Sequence, residues 1–231
     1  GVLRARTLGY KRIGTVSTGN MATSVAAYGA KAGLETFILV KEGMAEEKLK
    51  PIAIYGAKLI KVDGDYGKLY YESLKVGKDN NIYFINSDAP YRVEGYKTIA
   101  FEIAEQMEFN LPDYVIVPTS AGGNFRGIEK GFRELKNAGL INKVPKMVAA
   151  QAAGCSPIYN AFIDEKNEIE RFNEPNTIAH AIENPYPPSG NEVLRILKRN
   201  GGTAVTVTDE EIINAQKEMA SNGIFGQVAS A

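Results

Sequence analysis

Three short polar segments of this chain combine residue types that could bind small anions. They are Ser17-Thr18-Gly19-Asn20, the segment from Asn86 to Arg92, and Ser120-Ala121-Gly122-Gly123-Asn124. Hydroxyl, amide and guanidinium groups donate hydrogen bonds, and so does backbone that glycine leaves accessible. These donors suit carboxylate and phosphate oxygens, so the sequence predicts chemistry on small anionic molecules.

The third segment has the setting of a phosphate cradle. It follows the apolar run Tyr114–Val117 and leads into a helical pattern at Phe125–Ala138. Small side chains let an anion approach the main chain, and the free N–H groups at a helix start supply donors and partial positive charge. The segment lacks the spacing of a dinucleotide fingerprint or a Walker loop. From these residues alone it could hold a nucleotide, a cofactor phosphate or nothing.

The other two segments each have two readings. Ser17, Thr18 and Asn20 precede the helical run Met21–Ala32, where they could bind a carboxylate or simply cap the helix. In the second segment, Arg92 could clamp an anionic group with Asn86 and Ser87 as neutral donors, or it could be a solvated residue in a Pro-containing surface turn.

The elements that must position these segments alternate between strand and helix. Apolar runs predict strands at Arg12–Val16, Thr36–Val40, Lys58–Val62, Ile82–Ile85, Tyr114–Val117, Met147–Ala150 and Thr203–Val207. Amphipathic runs predict helices at Met21–Ala32, Glu46–Tyr55, Gly67–Lys75, Gly95–Phe109, Phe125–Ala138, Glu192–Asn200 and Glu210–Ala220. The Pro-rich stretch Asp164–Pro188 is expected to form surface loops and short helices. The alternation indicates an α/β fold with mostly parallel sheet.

Composition narrows the class of protein. The 231 residues include 27 Lys plus Arg and 27 Asp plus Glu, so there is no basic excess of the kind a nucleic-acid binder shows. No apolar run approaches the roughly 20 residues that span a bilayer, so neither nucleic acid nor membrane is expected as a partner. The single cysteine, Cys155, fits a reducing cytoplasm. The single histidine, His180, has no ligand pattern around it, so no metal site is predicted.

Taken in order, the motifs resemble those of the threonine synthase family. The run from Ser17 to Asn20 is followed by Ala-Xaa-Ser-Val-Ala-Ala-Tyr, and then by Asn-Ser-Xaa-Xaa-Pro-Tyr-Arg-Xaa-Glu-Gly-Tyr-Lys beginning at Asn86. The resemblance is collinear over nearly the whole chain, and Asn86–Ile103 is its most specific part. It implies a pyridoxal-phosphate enzyme of fold type II, with two open, mostly parallel sheets flanked by helices.

The resemblance also implies roles for the three segments. Ser120, Ala121, Gly122, Gly123 and Asn124 would hold the phosphate of pyridoxal 5'-phosphate, and Asn20 would bond the ring hydroxyl. Ser17 and Thr18 would bind the substrate carboxylate. Asn86, Ser87 and Arg92 would hold the phosphate of O-phosphohomoserine, a phosphorylated amino acid that the family converts with water to threonine and phosphate.

Further expectations concern the whole protein. The family's Schiff-base lysine is expected upstream of Gly1, and the fold is expected to be incomplete at both ends. Residues 10–86 are expected to form a small substrate-binding domain, and residues 1–9 and 87–231 a larger cofactor-binding domain. A cytoplasmic homodimer is expected by resemblance.

Two alternatives stay open at this stage. The first is a related enzyme, either a threonine dehydratase or a synthase that uses O-phosphoserine. The second is a non-catalytic ligand-binding module, which would follow if the lysine were truly absent.

Overall fold

A computed structural model describes residues 1–17, 19–64, 66–87 and 89–231. These residues form two compact units, Gly1–Arg92 and Val93–Ala231, each built around its own parallel sheet. The boundary falls in the first turn of the helix that begins at Pro90. Residues 1–9 cluster with the first unit here, and their assignment to a larger cofactor-binding domain stays a prediction about the whole protein.

The first unit contains a four-stranded sheet in the order β3-β2-β1-β4, with every pair parallel. Its strands are β1 (Arg12–Val16), β2 (Glu35–Lys41), β3 (Lys58–Val62) and β4 (Tyr83–Phe84). Its helices are α1 (Val2–Thr7), α2 (Asn20–Lys31), α3 (Glu46–Ala53) and α4 (Tyr66–Asn80), and α5 (Pro90–Gln106) begins at its end.

Both faces of this sheet are covered along β1 and β2, as a parallel sheet requires, whereas the edge strand β3 is largely exposed. On one face Ile13 and Ile38 pack against α2, whose alanines allow a close approach. Gly29 marks the tightest point, because a Cβ there would lie 2.1 Å from the Thr36 hydroxyl oxygen. The other face packs Leu39 and neighbouring apolar residues against α4.

The second unit contains a three-stranded parallel sheet in the order β5-β6-β7. Its strands are β5 (Tyr114–Pro118), β6 (Lys146–Ala152) and β7 (Thr203–Val207). Its helices are α6 (Gly123–Asn137), α7 (Pro157–Ile163), α8 (Gly190–Asn200) and α9 (Asp209–Ser221), and a 3₁₀ turn covers Val228–Ser230. Phe125 and Phe132 of α6 are fully buried with Met147 and Leu197 in the core between helices and sheet.

The predicted fold class is confirmed, with three local corrections. Helix α5 begins at Pro90, five residues earlier than predicted, because proline suits the first turn of a helix. Arg92 therefore lies in a helix and not in a surface turn. Helix α7 was not predicted, although Pro157 at its first position was the signal. The Pro-rich stretch 164–188 forms turns and irregular chain without the expected short helices.

Candidate active site

The strand order of the first unit creates a switch point next to β1. The chain proceeds from β1 to β2 and β3 on one side of β1, and β4 then pairs on the other side. In parallel α/β sheets, ligands bind outside the carboxyl ends of the strands at such a point. The loop after β1 leads to Ser17, and the chain after β4 leads to Asn86, so the fold brings together two of the segments predicted from sequence.

The segment after β1 presents unused backbone donors. Helix α2 begins at Asn20 with Gly19 as its N-cap, and no side-chain capping bond is made by the residues that the structure describes. The Ser17 hydroxyl accepts a 3.4 Å bond from the Gly19 N–H, and Asn20 is exposed. The first N–H groups of a helix have no partner inside it, so they stay available to an anion. Thr18 lies outside the described residues.

Asn86 is buried, and its amide is held inside the protein. Its Oδ1 accepts a 3.1 Å bond from the Val16 N–H, and its Nδ2 donates a 2.8 Å bond to the Ser73 hydroxyl. The Thr15 hydroxyl adds a 3.0 Å bond to the Ile85 carbonyl. These bonds fasten the end of β1 to the residues that follow β4.

Ser87 and Arg92 complete the second segment. Ser87 is 8% exposed, and Arg92 is half-buried in the first turn of α5, where its N–H bonds the Ala89 carbonyl at 2.8 Å. Arg92 thus lies on the first turn of α5, six residues along the sequence from Asn86, whose side-chain amide is buried. That arrangement is compatible with an anion-binding role, which stays a prediction.

In the second unit, Ser120–Asn124 joins β5 to α6 as a strand–turn–helix cradle. Helix α6 begins at Gly123, and its first internal bond runs from the Arg126 N–H to the Gly122 carbonyl at 3.1 Å. The N–H groups of Gly123, Asn124 and Phe125 therefore have no partner inside the helix. They are donors at the positive end of a helix dipole, which favours an anion.

Two observations test whether this cradle fits the phosphate of pyridoxal phosphate. Gly122 has φ +87°, and a Cβ on it would lie 2.8 Å from Val193 Cγ2 and 3.0 Å from Ser189 Cβ, so only glycine shapes this turn. Asn124 Oδ1 is buried without a hydrogen-bond partner among the described residues. Rotating the amide by 180° presents Nδ2 as a donor at the same place. The cradle fits a bound phosphate.

Sequence reasoning missed Ser189, which supports the cradle. Ser189 is buried, its N–H bonds the Ala121 carbonyl at 3.0 Å, and its hydroxyl accepts a 2.9 Å bond from Arg126. Ser189 is also the N-cap residue of α8, so a second helix begins beside the cradle. It lies 68 residues from Ala121 in the chain, and no local pattern could have paired them.

A second such residue is Gln151, which is fully buried in β6. Its Oε1 accepts the N–H groups of Ile158 and Tyr159 at 2.9 and 3.1 Å, which caps the start of α7. Its Nε2 lies 3.4 Å from the carbonyl oxygen of Thr119, the residue before the cradle. Gln151 therefore joins α7 to the entry of the cradle.

The two other titratable residues that the sequence singled out, Cys155 and His180, are not part of the predicted anion sites. Burial raises the pKa of the Cys155 thiol to about 11, so it is a protonated packing residue at neutral pH. His180 is exposed and pairs with Glu183 at 3.0 Å. Within the described parts of the chain there is no group of three His, Cys, Asp or Glu side chains that could hold a metal. A hollow of about 360 Å³ beside α7 includes none of the predicted site residues.

Comparison with protein families identifies the class of enzyme to which the chain belongs. Residues 2–231 match the family described as pyridoxal-phosphate dependent enzyme. The chain belongs to this family, which agrees with the cradle and with the α/β architecture.

Particular relatives within the family are threonine synthases. The chain is 43% identical over its whole length to the threonine synthase of Methanocaldococcus jannaschii and 39% identical to that of Methanosarcina acetivorans. It covers 58% of each of these relatives, so it spans little more than half of their length.

Solved structures confirm the fold. A fungal L-serine ammonia-lyase from Rhizomucor miehei matches 98% of the chain and 70% of its own length, with a TM-score of 0.80 and 20% identity. A serine racemase from Dictyostelium discoideum matches 96% of the chain and 67% of its own, with a TM-score of 0.76 and 22% identity. At these identities the likeness concerns the fold alone.

No helix in the described part of the chain is both long and apolar enough to cross a membrane.

Proposed function

We propose that the protein containing this chain is a threonine synthase, which converts O-phospho-L-homoserine and water to L-threonine and phosphate. The observation that carries this proposal is the 43% identity to a threonine synthase along the entire chain. The presence of a cradle in one unit and a second cluster of anion-binding residue types in the other supports a phosphorylated substrate in addition to a phosphorylated cofactor.

The cofactor would be held by residues from two segments. Backbone N–H groups of Ser120–Asn124 would bind its phosphate, and Asn20 would bond its ring hydroxyl. When bound, pyridoxal phosphate supplies an electron sink that stabilises carbanions formed on the substrate. Ser189 and Gln151, which support the cradle, keep its N–H donors in place before the anion binds. This lowers the conformational entropy that is lost on binding.

The substrate would be held at its two anionic ends. The Ser17 hydroxyl and the first N–H groups of α2, which have no partner inside the helix, would bind the carboxylate together with Thr18. Ser87, Asn86 and the Arg92 guanidinium would bind the γ-phosphate that leaves in the reaction. A guanidinium offers paired donors to phosphate oxygens, so Arg92 would stabilise the negative charge that the departing phosphate carries.

We further propose that the enzyme is a cytoplasmic homodimer that acts on small molecules. The single cysteine supports a reducing compartment, and the homodimer rests on the resemblance to threonine synthases. Analytical ultracentrifugation of the full-length protein tests the dimer. A monomer at micromolar concentration would refute it.

The full-length protein loaded with pyridoxal phosphate tests the proposed reaction. Three substrates are compared: O-phosphohomoserine, O-phosphoserine and threonine. Release of equal amounts of phosphate and threonine from O-phosphohomoserine is the expected result. Phosphate release from O-phosphoserine alone would favour the alternative synthase, and ammonia release from threonine alone would favour the dehydratase.

A further inference from the structure

A chain of hydrogen bonds through the core of the first unit fixes the orientation of the Asn86 amide. The Val16 N–H can only donate, so the amide atom 3.1 Å from it must be the oxygen. Nδ2 then faces the Ser73 hydroxyl oxygen at 2.8 Å, which must accept. The Ser73 hydroxyl donates onward to the Tyr70 carbonyl at 2.6 Å. Each group in this series of hydrogen bonds can therefore act only as the donor or acceptor described.

This series of hydrogen bonds is shielded from water. Ser73 is fully buried, and Asn86 and Val16 are 1% and 4% exposed. Water cannot replace a lost partner easily at this depth, so removal of the Ser73 hydroxyl would leave one N–H of Asn86 without an acceptor. A buried amide with an unsatisfied donor would turn or shift to find another acceptor.

We infer that Ser73 is a positioning residue for the substrate-phosphate site. It acts through Asn86 and touches no substrate itself. With Oδ1 and one Nδ2 proton engaged, the second Nδ2 proton of Asn86 has no acceptor among the residues that the structure describes, and Ser73 determines where that proton points. This inference rests on the proposed function for its substrate, while the orientation of the amide can be measured without it.

The same bonds couple the two loops at the switch point. Val16 immediately precedes Ser17 of the carboxylate segment, and Asn86 immediately precedes Ser87 of the phosphate segment. A shift of the Asn86 amide would therefore change the distance between the groups that would hold the two ends of the substrate. Misplacement of such groups weakens binding of the phosphorylated substrate before it affects the cofactor.

The experiment compares Ser73→Ala with Thr36→Val in the full-length enzyme. Thr36 is a matched control because it is also buried in the first unit and its hydroxyl also bonds a backbone carbonyl, that of Leu34 at 3.3 Å. It lies at the start of β2, paired with Ile13 at the opposite end of the sheet from Asn86. Steady-state kinetics with O-phosphohomoserine and thermal unfolding are measured for both variants.

Ser73→Ala is expected to raise KM for O-phosphohomoserine about tenfold, the size of one lost hydrogen bond to a charged group, with kcat and the cofactor absorbance spectrum little changed. Thr36→Val is expected to lower thermal stability without changing KM. In an Asn86→Ala background, Ser73→Ala should have no additional effect on KM, since its action passes through Asn86. Equal KM values for Ser73→Ala and wild type, or equal KM increases in both single variants, would overturn the inference.

A second readout separates this inference from the proposed function. In labelled wild-type protein, the side-chain amide of Asn86 should give NMR signals with one proton protected from exchange, and Ser73→Ala should abolish that protection. If wild type releases no phosphate from O-phosphohomoserine, the proposed function fails while this NMR result still tests the orientation. Unchanged amide signals in Ser73→Ala would overturn the positioning role whatever the substrate.

Discussion

At the scale of single residues, the cradle depends on one glycine. Gly122 combines φ +87° with contacts that leave no room for a side chain, and it lies between two residues whose backbone is expected to hold phosphate. Substitution by alanine combines backbone strain with a clash against Ser189 and Val193.

We therefore expect Gly122→Ala to weaken pyridoxal-phosphate binding about tenfold or more, consistent with a strain cost of 1–3 kcal/mol. Fluorescence titration of apoprotein with the cofactor measures it. Gly139→Ala is the control, because Gly139 has a similar φ of +73° but nothing within 4 Å of the added Cβ. Equal losses of affinity in both variants would show that general destabilisation, and not the cradle, is responsible.

Cys155 gives a second residue-scale prediction, which concerns pH. Burial raises the pKa of its thiol to about 11, whereas an exposed thiol in the unfolded chain titrates near 8.5. The folded state therefore keeps its proton at pH values where the unfolded state loses it. This contribution to stability is complete below about pH 8.5 and is lost progressively as pH rises towards 11.

Two measurements check this prediction. A thiol-specific reagent should modify native Cys155 very slowly at pH 8 and rapidly after unfolding in denaturant. In Cys155→Ala, the decrease of the unfolding midpoint between pH 8.5 and 10.5 should be shallower than in wild type. Fast labelling of the native protein at pH 8 would contradict the burial and the raised pKa.

At the scale of elements, α9 begins with a reciprocal pair of capping bonds. The Thr208 hydroxyl accepts a bond from the Glu211 N–H at 3.2 Å, and the Glu211 carboxylate accepts from the Thr208 N–H at 2.8 Å. Hydrogen bonds from Thr208 lower the pKa of Glu211. Thr208 and Glu211 have the Thr-Xaa-Xaa-Glu spacing of a capping box, and both of its reciprocal bonds are present.

Thr208→Ala should lower the free energy of unfolding by about 1 kcal/mol. Thr208→Ser keeps the hydroxyl and should lie within a few tenths of a kcal/mol of wild type, because serine is an equally good N-cap. Denaturant unfolding of the three proteins provides the comparison. An equal loss in both variants would mean that the threonine methyl group, and not the cap, stabilises α9.

Elements were predictable where the pattern is local. Strands β1, β3 and β7 begin and end at the predicted residues, because short runs rich in Ile, Val, Leu and Thr lie there beside glycine or polar turn residues. The start of α5 was placed five residues late because proline was read as part of a turn. The supports of the candidate site were beyond prediction, since Ser73 meets Asn86, and Ser189 meets Ala121, only after the chain has folded.

At the scale of the whole molecule, there are two α/β units, each with a parallel sheet. Each unit carries anion-binding residue types at the carboxyl ends of its strands. Within the first unit, β1 and β4 bring the Ser17 and Asn86 segments to one switch point. Within the second, β5 and α6 form the cradle. The chain belongs to the family of pyridoxal-phosphate dependent enzymes, and under the proposed function one arrangement would hold the cofactor phosphate and the other the substrate.

We propose that these are two different anion sites, the cradle for the cofactor phosphate and the Asn86–Arg92 segment for the substrate phosphate. A crystal structure of the full-length protein with pyridoxal phosphate and inorganic phosphate tests it most directly. We expect the cofactor phosphate on the backbone N–H groups of Ser120–Asn124, and a separate phosphate on Ser87 and Arg92. A cofactor phosphate bound away from Ser120–Asn124, or a second phosphate that does not contact Arg92, would contradict it.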